Sequence, residues 1–192
     1  MYKPNNYDKT QVDKPKVEAG GHHGVVKKVE ETTSKNGKKM IIVFFDFDQT
    51  DKQPSFFAKE FRDDVKPDKK WPVLGRRYIL LEDAEGNTNR DYKRFITSCE
   101  KSNDFAVNWE ADYQQFANKK IGLIFGPVEN EYQGRNYVRN ELRFFCDYSK
   151  AASAEIPDLK PLKQTGSAAQ QTSPDGFMTI PDAVDEEEFP FN

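Results

Sequence analysis

From Gly24 to Thr33 the run GVVKKVEETT is rich in Val and Thr, and Ser34-Lys35-Asn36-Gly37 follows it. The Asn-Gly pair suits the positive φ angles of a type I′ hairpin turn, so the pattern predicts a strand, a tight turn and a second strand. That second strand, Lys38 to Asp48 (KKMIIVFFDFD), is apolar on both faces for most of its length. Ile41, Val43, Phe45 and Phe47 stay apolar to the end and are assigned inward, and Met40, Ile42 and Phe44 run into Asp46 and Asp48 on the outward face. A third strand is expected at Ser55 to Phe61, with a further extended piece at Arg76 to Glu82. Tyr92, Phe95, Ile96 and Cys99 then fall at helical spacing, with Asn89 or Asp91 as N-cap, and Ala111 to Asn118 is a second short amphipathic piece.

The last regular pattern is a β-hairpin. Lys120 to Tyr132 alternates Ile121, Leu123 and Phe125, Gln133-Gly134-Arg135-Asn136 turns, and Tyr137 to Tyr148 returns. On the return strand strict alternation puts Val138, Leu142, Phe144, Cys146 and Tyr148 in the core and leaves Tyr137, Arg139, Glu141, Arg143 and Phe145 wet. Three strands, a helix and a two-strand hairpin give an all-β class with one or two helices. The order is that of a five-stranded OB barrel with its helix between strands 3 and 4.

The flanks differ in character. Met1 to Lys16 lacks apolar periodicity and reads as a flexible arm, residues 17–150 form the domain, and residues 151–192 read as a disordered acidic tail. The tail ends in Asp185-Glu186-Glu187-Glu188-Phe189-Pro190-Phe191, an acidic run carrying two Phe around a Pro. Acid alone solubilises, but exposed rings at a polar terminus suit docking into a partner's apolar pocket.

Composition sharpens this picture at three points. Phe occurs 15 times in 192 residues, so the core should be aromatic. No apolar run approaches the roughly 20 residues of a membrane helix, and the Lys-rich start is no secretory leader, so a cytoplasmic protein with no membrane partner is expected. Cys99 and Cys146 lie in apolar patterns and read as reduced packing residues. The net charge of −3 is unevenly spread: residues 1–150 carry 27 Lys and Arg against 24 Asp and Glu, and residues 151–192 carry 2 against 8. A mildly basic body with an acidic tail suggests nucleic-acid or protein partners.

Cations interleave with rings in the body: Lys38 and Lys39 beside Phe44; Lys69, Lys70, Trp71, Arg76, Arg77 and Tyr78; Tyr132, Arg135, Tyr137, Arg139 and Arg143. Single-stranded nucleic acid needs that mixture, because cations track phosphates while rings stack on unpaired bases. Taken one at a time, each is equally well a solvated Lys or Arg, or a packed ring. Asp46 and Asp48 raise an enzymatic alternative, a metal-dependent nuclease completed by His22, His23 or Glu60. An Asp-x-Asp at a strand end before Gln49-Thr50-Asp51 fits a turn better, and adjacent histidines on a strand point apart. A third class is a protein-interaction module. No phosphate loop, nucleophile elbow or zinc-helix motif occurs, so no cofactor, no metal and no catalysis are expected.

Together these residues resemble a family of small phage-encoded single-stranded DNA-binding proteins from phages and prophages of Gram-positive bacteria. The likeness rests on Val17-Glu18-Ala19-Gly20-Gly21, Asp68-Lys69-Lys70-Trp71-Pro72, Gly86-Asn87-Thr88-Asn89, Phe95-Ile96-Thr97-Ser98, Glu100-Lys101-Ser102-Asn103, Lys119-Lys120-Ile121-Gly122, Phe125-Gly126, Arg143-Phe144 and Ile156-Pro157-Asp158-Leu159-Lys160. It spans about Lys14 to Lys163 plus the acidic tip. The resemblance implies an OB fold, protection of single strands during phage DNA replication or recombination in the bacterial cytoplasm, and no catalysis. The tip is similar to the Asp-Asp-Asp-Ile-Pro-Phe ending of bacterial single-strand-binding proteins, which docks replication and repair enzymes. Here Asn192 follows Phe191, so the terminal carboxylate is not on the Phe. Homo-oligomerisation stays open.

Overall fold

A computed structural model describes residues 2–4, 7 and 15–162. Most of the N-terminal arm, and the whole acidic tip from Asp185 to Phe191, lie outside the described residues.

Five antiparallel strands form one sheet: β1 (Gly20–Thr33), β2 (Lys39–Phe47), β3 (Arg76–Leu80), β4 (Lys120–Tyr132) and β5 (Arg135–Cys146), in the order β3-β2-β1-β4-β5. β1 is the hinge of the arrangement. Its first residues, Gly20 to Val25, pair with β4, and Gly24 to Thr33 pair with β2. The register shifts between Val26 and Lys28, where two consecutive lysines interrupt the alternation and a bulge bends the strand.

The hairpin turns invert the sequence expectation. In the first, Gly37 alone takes a positive φ (75°) and its N–H donates to Ser34 O, so the loop is a wider turn closed by one left-handed glycine. The two-residue positive-φ turn is instead Gln133-Gly134 (φ 51° and 72°), and Arg135 already pairs with Tyr132.

Three helices accompany the sheet in the described chain: α1 (Phe56–Asp63), α2 (Arg90–Ser102) and the single turn α3 (Tyr148–Ala151). None is long and apolar enough to cross a membrane. α2 begins at Asn89, whose side chain accepts from Asp91 N–H and Tyr92 N–H, and buries Phe95, Ile96 and Cys99 as the spacing predicts. α1 corrects the expected third strand at Ser55 to Phe61. Its aromatic composition favours β structure, but the buried Asp46 carboxylate on β2 accepts from Phe57 N–H (2.9 Å) and Ala58 N–H (3.2 Å) and caps a helix there. The third strand is therefore the Arg76 piece, paired with β2 from Met40↔Leu80 to Phe44↔Arg76.

The core is aromatic: Phe45, Phe47, Phe57, Phe95, Phe116, Phe125 and Phe145 are fully or nearly fully buried, and Phe45, Phe57, Phe125 and Phe145 meet edge-on or tilted. Ile41, Val43, Phe45 and Phe47 point inward as expected. Two facing assignments do not survive. Met40 and Asp46, placed outward, are both buried. On β5, Ile124 pairs with Phe144 but Phe125 with Leu142, so Arg143 is an extra residue and the alternation changes phase there. Leu142 and Phe145 are buried, Phe144 and Cys146 are half-buried, and Val138 is 56% exposed.

The domain also runs further than residue 150. Ala151 is fully buried, and the chain continues along β4 to Leu162, with Lys160 forming a parallel bridge to Val128. The first part of the tail expected from Ala151 onward, as far as Leu162, is thus packed on the sheet, and residues 163–192 lie outside the described residues.

Candidate nucleic-acid interface

Pairing registers fix which candidate side chains share a surface. On the outward face of β1, β2 and β3, Lys28 lies opposite Phe44 and Phe44 opposite Arg76; one step along, Glu30 lies opposite Ile42 and Ile42 opposite Tyr78. Two rows of three residues result, with Phe44 between two cations. Arg76 leans on Tyr78 with its guanidinium 5.7 Å from the ring centroid, and its Nε is buried without a hydrogen-bond partner. Lys28 pairs with Glu30.

The other end of this face carries the opposite charge. Val29, Glu30, Glu31, Thr32, Ile42, Asp112, Tyr113 and Gln114 line an open groove of ≈ 460 Å³. Burial, and a hydrogen bond with Tyr92, push the Tyr113 phenol well above its ordinary value. A phosphate chain crossing the sheet is favoured at the Lys28–Arg76 end and repelled at the Glu30–Asp112 end.

A second surface is the part of the β4–β5 hairpin that extends beyond β1. Tyr132↔Arg135, Asn130↔Tyr137 and Val128↔Arg139 are cross-strand pairs, so Tyr132, Arg135, Tyr137 and Arg139 share one face. Tyr132 and Tyr137 are exposed. Arg139 Nε donates to Glu141 Oε1 at 2.7 Å on the same strand. The reverse face carries Glu129, Glu131 and Val138.

Other candidates stand apart from both surfaces. Arg77 lies on the opposite face of β3 from Arg76 and bonds Asp91 on α2 at 3.5 Å. Trp71 is half-buried, donates its indole N–H to Gly75 O (2.9 Å) and packs on Phe61, holding the turn before β3. Lys69 Nζ donates to Arg62 O. Lys70 is exposed in the same loop, and Lys38 and Lys39 are exposed at the turn end of the first hairpin. Arg143, expected on the wet face, sits at the bulge and donates to Asp158 O (2.9 Å) and Pro127 O (3.4 Å). Sequence reading missed Lys28, whose place opposite Phe44 follows from the register shift after Val26. It also missed Trp109, which is 71% exposed on a turn that Gln115 ties down through Asn108 N–H and Asn108 O.

The carboxylates of the enzymatic alternative have structural partners. Asp46 Oδ1 also accepts from Phe47 N–H, and burial pushes this carboxyl above its ordinary range against the pull of its three backbone donors. Asp48 Oδ2 accepts from Tyr148 OH at 2.6 Å, and Tyr148 stacks on His23. His22 is buried against Phe47 and hydrogen-bonded to Asp51 Oδ1 (2.9 Å) and Glu18 O (3.0 Å), so the two histidines serve different neighbours. Burial raises the Asp51 carboxyl, but hydrogen bonds from His22 and from Gln53 and His23 N–H outweigh it and hold the carboxyl below its ordinary value. No group of three or more His, Cys, Asp or Glu among the described residues is placed to hold a metal. No protein-family model matches the chain, and no curated protein matches it significantly.

Proposed function

We propose that the chain is a non-catalytic, sequence-independent single-stranded DNA-binding protein built on an OB barrel. The barrel reading is supported by β1 pairing with both β2 and β4, and by α2 packing against both edge strands, β3 and β5. One observation carries the binding reading: the register aligns Lys28, Phe44 and Arg76 in a row across three strands with Tyr78 alongside. Cations on either side of a ring neutralise successive phosphates while the ring takes a base, each stack contributing roughly 1–3 kcal/mol. The Tyr132–Arg139 face of the hairpin offers the same chemistry and extends the footprint. The acidic segment ending in Asp185-Glu186-Glu187-Glu188-Phe189-Pro190-Phe191 recruits replication and recombination proteins and competes with DNA for the cationic face.

The test is a fluorescence titration with single-stranded and duplex oligonucleotides at two salt concentrations. Single strands bind more tightly, and affinity falls as salt rises. Arg76→Ala lowers the salt slope by about one, Phe44→Ala weakens binding at either salt, and Arg77→Ala leaves the slope unchanged. Equal slopes for Arg76→Ala and Arg77→Ala would remove the β1–β3 face from the site.

A second reading, a protein-interaction module, is favoured by Trp109, a large ring left 71% exposed on a turn. Absence of any oligonucleotide binding at low salt would select it.

A further inference from the structure

The β4–β5 hairpin is longer than the sheet that supports it. β1 begins at Gly20 opposite Phe125, so from Gly126 to Tyr132 β4 has no β1 neighbour and β5 alone would leave a two-stranded ribbon. Isolated two-stranded ribbons are marginal in water, and an unpaired strand edge is a standing liability. Residues 152–162 occupy the vacated side. Lys160 N–H donates to Pro127 O (3.0 Å) and Glu129 N–H donates to Lys160 O (2.9 Å), two ladder bonds around the parallel Val128–Lys160 bridge. Leu162 N–H donates to Glu129 Oε2 (3.1 Å), and Arg143 reaches across to Asp158 O. Pro157 closes on Gly126 so tightly that a Cβ there would lie 3.1 Å from its ring.

We infer that residues 152–162 are a strap that holds the β4–β5 hairpin where its Tyr132–Arg139 face can meet nucleic acid, and that Arg143 is a positioning residue of this strap. The inference rests on the single-strand-binding reading and adds a requirement to it. The exposed ribbon carries two tyrosines and two arginines, and rings and cations on a wandering ribbon lose affinity to ordering costs that a fixed one does not incur. The strap therefore belongs to the binding machinery, and the acidic segment that competes with DNA starts only at Lys163. Deleting everything from Ala151 removes both at once and mixes two opposite effects.

The discriminating experiment uses the full chain. Lys160→Pro removes the N–H that bonds Pro127 O, and Lys160→Ala removes the same charge but keeps that N–H. Hydrogen exchange by mass spectrometry is read over Glu129–Arg139 and over α2, alongside oligonucleotide titration. Relative to Lys160→Ala, which lacks the same side chain, Lys160→Pro gives hairpin amides that exchange about fivefold faster or more and an oligonucleotide affinity lower by a similar factor, while α2 is unchanged. Arg143→Met speeds hairpin exchange in the absence of DNA, which loss of a mere phosphate contact would not do. Unchanged hairpin exchange in Lys160→Pro and Arg143→Met overturns the strap. Faster exchange with unchanged affinity overturns its role in binding. If the unaltered protein binds no oligonucleotide, the single-strand reading falls, and the exchange data alone decide whether the strap holds the hairpin.

Discussion

Asp46→Ala separates the structural from the catalytic account of this carboxylate by the sign of its effect. In the folded protein Asp46 accepts from Phe47, Phe57 and Ala58 N–H, and Phe57 is fully buried in the core. Alanine leaves these donors without an acceptor where little water reaches. Loss of an N-cap costs about 0.5–2 kcal/mol, and each stranded buried donor about 1–3 kcal/mol. The cost of keeping a buried carboxylate, which is why its pKa is raised, offsets part of that. A net loss of about 2–4 kcal/mol follows, a large share of the roughly 5–15 kcal/mol that stabilises a domain. Asp46→Asn keeps an acceptor for Phe47 and Phe57 and costs about 1 kcal/mol. Urea titration followed by circular dichroism measures both, with an unchanged m-value as the check on two-state behaviour. Were Asp46 and Asp48 a metal pair, neutralising one would relieve repulsion and stabilise the metal-free protein, and magnesium would stabilise the unaltered one. A stability gain in Asp46→Ala, or a loss below about 0.5 kcal/mol, refutes the capping account.

Three further outcomes follow from the same contacts. Gly21→Ala places a Cβ 1.7 Å from Ala151 O, and because that obstacle is backbone, thermal melting should show a loss of about 3 kcal/mol or more; a melting temperature within a few degrees of the unaltered protein's contradicts the close approach. Asp51 is held below its ordinary value of 3.8, so its contribution to stability is full above that pH and fades as pH falls through its lower folded value. Asp51→Asn should destabilise the protein at neutral pH and shrink the gap at acid pH, and an equal gap at both would sink the coupling to His22. Burial pushes the Cys146 thiol up to about 11 and Cys99 higher still, so iodoacetamide at neutral pH should label neither quickly until urea unfolds the chain.

Much of the fold was legible because local pattern and tertiary demand coincide. The inward set Ile41, Val43, Phe45 and Phe47, the Asn89-capped α2 and the Arg76 strand follow from residue pattern, which one face of a sheet or helix imposes on the sequence directly, and the aromatic core follows from the abundance of Phe. Basic and aromatic interleaving marked Phe44, Arg76 and Tyr78 as candidates, but a list of residues has no register. Pairing across β1, β2 and β3 put those three beside Lys28 and sent Arg77 to the other face. The misread elements share one cause, an interaction between distant parts of the chain. A carboxylate on β2 made a helix of an aromatic segment that would otherwise suit a strand. One extra residue opposite β4 reversed the facing of β5 beyond Leu142, and Pro-punctuated residues without a core of their own became ordered by lying along an edge that β1 had left bare. Periodicity records what a residue's nearest neighbours require, whereas caps, bulges and edge pairing are settled only when separate segments meet.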